Sequence, residues 1–129
     1  MRMILETAAA RLAAEHAGAG DLEHLELILE QMLDTSLPLE RRIALDADFH
    51  VSIARSGGNE LVGMFVEVMT ILLREYMLKG ISGPAGMKKT SAQHRNVLDA
   101  IKSRDPEAAE AGMRKHLTAA RKNVWAEFP

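Results

Sequence analysis

The 129-residue chain contains no cysteine, which excludes a disulfide-stapled scaffold and any thiolate metal site. It also lacks an excess of positive charge. Sixteen Lys and Arg face eighteen Asp and Glu, for a net charge of −2. A free-standing nucleic-acid binder needs a basic surplus to neutralise phosphates, and none is present. No apolar run approaches the roughly 20 residues of a membrane span. The opening Met1-Arg2-Met3-Ile4-Leu5-Glu6 carries no apolar signal region before its first acid. The expectation is a cytoplasmic chain without a membrane partner, of one domain spanning 1–129. What is present is apolar: 47% of residues are hydrophobic though only 4% are aromatic, enough for a core and too many for a disordered tail.

Strand signals are missing as well. Ala, Leu, Glu, Met, Lys and Arg dominate, and no stretch alternates apolar and polar residues for long. The punctuation predicts an all-α antiparallel bundle of about six helices. The first covers about 2–16 and ends at Ala17-Gly18-Ala19-Gly20. The second runs from Asp21, as N-cap, to about residue 33, with Leu22, Leu25, Leu29 and Met32 on one face. The third starts near Ser36-Leu37-Pro38 and reaches about residue 56, where Gly57-Gly58 breaks it. Asn59 caps a fourth, about 60–79, so apolar all round that it is expected at the centre of the bundle. Residues 80–86 read as a loop, and a fifth helix covers about 87–103. Asp105-Pro106 then supplies an N-cap and a first-turn proline for a sixth helix, to about residue 127.

Four polar residues interrupt the apolar stripes of these helices. On the third, the stripe Leu39, Ile43, Asp46, His50, Ile53 holds a carboxylate and an imidazole one turn apart. On the fifth, His94 falls in the stripe of Met87, Val97 or Leu98, and Ile101; on the sixth, His116 falls with Met113, Ala120 and Val124. His94 lies eleven residues before Asp105 and His116 eleven after it. In an antiparallel hairpin both stand about 16 Å from the turn, level with each other. If the third helix packs into the groove of that hairpin, Asp46, His50, His94 and His116 converge. Three imidazoles and a carboxylate suit a divalent metal such as Zn, Ni, Mn or Fe. The same pattern is met by core histidines satisfied by neighbours, with Asp46 orienting His50. His16, in the last turn of its helix, and His24, among charged residues, read as solvated.

Several segments together resemble the FCD domain. These are Asp46-Ala47-Asp48-Phe49-His50 followed by Gly57-Gly58-Asn59, and Gln93-His94-Arg95-Asn96-Val97-Leu98-Asp99-Ala100-Ile101, where Gln93 replaces the usual Glu. The others are Asp105-Pro106-Glu107-Ala108-Ala109 with Met113-Arg114-Lys115-His116-Leu117, and the opening Arg2-Met3-Ile4-Leu5-Glu6 with Ala10-Arg11-Leu12-Ala13-Ala14. FCD domains form the C-terminal, effector-binding halves of FadR-type regulators in the GntR superfamily. The resemblance implies a helical bundle, often dimeric, in which Asp46, His50, His94 and His116 bind a divalent metal. A small organic acid completes the coordination. It also implies that Arg2 helps hold that acid; on residue pattern alone Arg2 makes an i,i+4 ion pair with Glu6 on a solvated face.

Nothing in the chain corresponds to the winged helix-turn-helix half that precedes the domain in this family, so DNA is expected as a partner only through a missing N-terminal domain. The start at Met1 reads as the cut between the two. A metal-dependent sensing domain, not an enzyme, is the leading expectation. Its alternatives are a structural or dimerisation module with a closed metal site, and a metalloenzyme, for which the available acids Asp48 and Glu60 lie off the stripe.

Overall fold

The computed structural model describes residues 1–74 and 83–126, with side chains for all of these except 83–87 and 123–126. Six helices make up the described chain: α1 (Arg2–His16), α2 (Ala19–Met32), α3 (Leu39–Ser56), α4 (Glu60–Leu72), α5 (Gly83–Lys102) and α6 (Pro106–Ala126). Among the described residues no strand occurs and no helix is long and apolar enough to cross a membrane. The stretch 75–79 expected to extend the fourth helix, and the side chains of the stripe residues Met87 and Val124, lie outside what is described.

Local signals explain most boundaries. Asn59 Oδ1 accepts hydrogen bonds from the amides of Leu61 and Val62 at 3.1 and 3.3 Å, capping α4 as expected. Asp105 Oδ1 accepts from the Ala108 amide at 3.1 Å, with Pro106 as the first residue of α6. Two starts differ from expectation. Helix α2 begins three residues early, at Ala19, with Gly18 rather than Asp21 as its cap. Asp21 is instead its third residue, and its Oδ2 reaches back to the Gly18 amide at 2.9 Å. Helix α5 takes in Gly83-Pro84-Ala85-Gly86, which had read as loop. Proline in a first turn gives up no intrahelical bond, and a glycine weakens a helix by only about 1 kcal/mol.

The main core joins Leu25, Leu29 and Met32 of α2 to Leu45, Phe49 and Ile53 of α3, Val97, Leu98 and Ile101 of α5, and Met113 of α6. The helix at the centre is α1, not α4. Its buried face is Ala9, Ala10, Ala13 and Ala14, and these small side chains let α3, α4, α5 and α6 all approach it. Gly57 extends the same economy of space. A Cβ there would stand 2.8 Å from Leu12 Cβ and 3.4 Å from the Ala13 amide nitrogen. Helix α4 is peripheral: Val66 packs on Ala9 and Ala54, while its other flank is exposed. Its apolarity marks two faces, of which the described chain covers one. Leu39, expected in the α3 stripe, is 48% exposed.

Helix α3 makes no close backbone contact with α5 or α6 among the described residues. It does not pack into the groove of the hairpin. Helices α1 and α2 each touch both α3 and α5, holding them apart like side walls. The space between is spanned by side chains, and those side chains are polar.

Candidate metal centre

Asp46 and His50 project from α3, His94 from α5 and His116 from α6, and all four are buried. One ligand atom from each lies within 4.8 Å of every other. The equidistance of His94 and His116 from the Asp105 turn places their rings level, with centroids 4.4 Å apart. The three Nε2 atoms form a nearly equilateral triangle, with sides of 3.1, 3.2 and 3.2 Å. Asp46 Oδ1 stands 3.0 Å from His94 Nε2 and 3.9 Å from His50 Nε2. Phe49 closes one side, its ring centroid 4.7 Å from that of His94.

Neighbouring groups determine which ring nitrogens carry protons. His50 Nδ1 donates to Glu6 Oε2, and His116 Nδ1 donates to Gln93 Oε1 at 2.9 Å. A carboxylate and an amide oxygen only accept, so both Nδ1 atoms carry the hydrogen. In the neutral rings the Nε2 atoms then face the centre as lone pairs. Burial, followed by the neighbouring imidazoles His94 and His50, pushes the His116 pKa well below the usual histidine range. Burial likewise lowers that of His94, against the opposing pull of Asp46. For Asp46, burial works to raise the pKa, but the facing imidazoles outweigh it and keep the carboxylate ionised.

The inward donors cannot satisfy one another. His94 Nε2 can bring at most one hydrogen to the centre, while Asp46 Oδ1 and the Nε2 atoms of His50 and His116 all need one. Asp46 Oδ1 is buried and makes no hydrogen bond, and neither does His94 Nδ1 on the outer side of its ring. Each buried lone pair left without a partner costs about 1–3 kcal/mol. A cation at the centre satisfies the inward ones together, leaving only His94 Nδ1 without a partner among these atoms. Metal–nitrogen bonds of about 2.0–2.1 Å set nitrogens about 2.9 Å apart at right angles and about 3.4 Å apart at tetrahedral angles, which brackets the triangle found. The residues present fit a divalent ion.

The sequence reading missed Glu6. It assigned Glu6 to a solvated pair with Arg2, yet Glu6 is 1% exposed. The pair exists, with Arg2 Nε 2.5 Å from Glu6 Oε1, but it turns inward and ends on His50. Burial works to raise the Glu6 pKa; His50 and then Arg2 outweigh it and hold the carboxylate ionised. The signal was available, because Glu6 stands in the stripe of Met3, Ala10 and Ala13 as Asp46 stands in that of α3. Arg2 is thus separated from the four converging residues by Glu6. His16 and His24 are exposed, as are Asp48 and Glu60.

A family model for the FCD domain matches residues 1–119. The chain is 32% identical over 123 residues to the HTH-type transcriptional regulator LutR of Bacillus subtilis, covering 92% of this chain and 56% of that protein. It is 30% identical over 111 residues to the galactonate operon transcriptional repressor of Escherichia coli, covering 85% and 48%. The chain thus spans about half the length of the curated relatives it matches. Among solved structures, E. coli McbR/YncC superposes with a TM-score of 0.85 at 20% identity, covering 98% of this chain and 65% of that one. Streptococcus agalactiae GntR superposes with a TM-score of 0.80 at 23% identity, covering 94% and 54%. The fold is the one these share, the curated relatives are transcriptional regulators, and the chain belongs to the FCD domain family.

Proposed function

We propose that this domain senses a small organic acid through a divalent metal held by Asp46, His50, His94 and His116, and that it regulates transcription through a DNA-binding half outside this chain. The observation that carries the metal reading is the surplus of inward lone pairs over hydrogens. A dry hydrogen-bond network of neutral imidazoles leaves at least two of them unsatisfied. When bound, the ion supplies positions that a carboxylate can occupy. A closed tetrahedron needs six equal edges, whereas Asp46 Oδ1 is 3.0 Å from one imidazole and 3.9 Å from another. That inequality favours a sphere with room for a further ligand over a closed structural site.

The chain's own residues do the rest. Glu6 and Gln93 hold His50 and His116 in the tautomer that leaves Nε2 free. Arg2 has one nitrogen on Glu6 and further guanidinium donors for an acid's second carboxylate. A cleft of about 630 Å³ between α5 and α6 opens beside Gln93, and Lys89, Arg114, Lys115 and Lys122 outnumber Glu107 and Glu110 along it. In a chain of net charge −2, that local excess favours acidic ligands. Both oxygens of Glu6 are engaged, by His50 and Arg2, so Glu6 serves to position His50.

An effector shifts the bundle only by its difference in affinity between two packings. Arg2 and Glu6 stand in the first two turns of α1, the helix that comes next after the DNA-binding half in the domain order the resemblance implies. The test is thermal melting with Zn, Ni, Mn or Fe and a panel of small hydroxy and dicarboxylic acids. The acids should raise Tm only when metal is present. An acid-dependent shift of equal size in metal-free protein, or none with any metal, contradicts the proposal.

A further inference from the structure

Among the described residues four hydroxyl side chains are buried. Thr7, Ser56 and Thr70 each donate to a backbone carbonyl of the preceding turn, at 2.5, 2.8 and 2.7 Å. Ser91 does not. It is 3% exposed, and its Oγ has no hydrogen-bond partner among the described residues. Burial without a partner is costly for a hydroxyl, so the position calls for a group that the chain itself does not supply.

The place of Ser91 indicates what that group is. It stands three residues before His94 on the same buried face of α5. Arg11 of α1 meets Glu110 of α6 at 3.2 Å, while Glu6 reaches the level of His116 through His50. Helix α1 therefore runs antiparallel to α6 and parallel to α5. Arg2 lies four residues before Glu6, as Ser91 lies three before His94. Both thus stand on the same side of the metal centre, toward the end of the bundle away from Asp105. They are displaced from it by about one turn, a rise of about 4.5–6 Å. We propose that Ser91 is a specificity-determining residue for the acid, donating with Arg2 to an oxygen at the far end of a molecule whose near carboxylate reaches the metal centre. This rests on the sensing function proposed above. A four-carbon chain, at about 1.5 Å per bond, covers the distance. The acids selected are those that carry a second oxygen-bearing group at that length. An acid ending in a methyl group leaves the Ser91 hydroxyl unpaired.

Succinate and butyrate share a four-carbon chain and differ in that far group, so calorimetric titration of the metal-loaded chain with each tests the contact. Wild-type protein should bind succinate more tightly. Ser91→Ala should weaken succinate about tenfold and leave butyrate within about twofold, because only succinate loses a hydrogen bond. Metal content, read on the same samples, should stay at one ion per chain. The Tm of ligand-free Ser91→Ala should equal or exceed that of the wild type, since alanine removes an unpaired hydroxyl and favours the helix. A lower Tm overturns the inference, because the hydroxyl then supports the fold. Equal affinity of the wild type for the two acids, or a preference that Ser91→Ala leaves intact, also overturns it and assigns the hydroxyl to an ordered water, while the sensing function stands. Binding of neither acid to the loaded wild type with any of the metals contradicts the sensing function and this inference together.

Discussion

Glu6 sets the behaviour expected of the site at the scale of single residues. Its carboxylate fixes the His50 hydrogen on Nδ1, and any acceptor in the same place does so equally well. Glu6→Gln keeps an oxygen there, so metal affinity should fall by no more than a few fold. Glu6→Ala removes it and should weaken metal binding about 10–100-fold, measured by competition with a chelating dye. Equal affinities for the two variants would show that Glu6 only fills space. The four converging residues were legible in the sequence because each breaks an apolar stripe with a group too polar to bury alone. Glu6 breaks one too. It was concealed by Arg2, four residues away, which offered a sufficient surface explanation. Sequence spacing shows that two residues can pair but not which way the pair faces.

Gly57 and Glu26 set how the helices are held against one another. The close approach of α3 to α1 depends on the absence of a side chain at Gly57, so Gly57→Ala should destabilise the fold by about 1–3 kcal/mol in urea titration. Glu26 ties α2 to α5, accepting from Arg95 at 2.7 and 2.9 Å and from Lys102 at 2.9 Å. Hydrogen bonds from Arg95 and then Lys102 lower its pKa from 4.5 to about 2. The unfolded chain therefore takes up the proton first as the pH falls. This stabilisation is complete above pH 4.5 and lost as the pH falls toward about 2. Because the pair is partly exposed, it is worth at most about 1 kcal/mol, and Glu26→Gln should remove that part of the acid sensitivity. Helix identities were legible from caps and prolines, such as Asn59 and Asp105-Pro106. The order of burial was not. Composition made α4 the central helix, but a central position also requires small side chains, and the alanines of α1 meet that need. An apolar helix can as readily have a second partner.

The state of the metal centre couples to the stability of the whole molecule. Burial holds His94 and His116 below the usual histidine pKa. Without metal the unfolded chain binds their protons first, so stability should decline as the pH falls below about 6.5, followed by thermal melting across that range. A metal at a hundredfold excess over its Kd should add about 2.7 kcal/mol, a rise in Tm of about 10 °C. The bundle and its hairpin register could be read in advance from turn positions. The gap between α3 and the hairpin could not, because it depends on how α1 and α2 prop the helices apart. The same gap is what gives four buried polar groups a common centre. Elemental analysis by plasma mass spectrometry, on protein purified without chelator, tests that centre most directly. One divalent ion per chain is expected, and its loss in both His94→Ala and His116→Ala. Wild-type protein that takes up no ion from Zn, Ni, Mn or Fe solutions, or variants that retain a full equivalent, would contradict it.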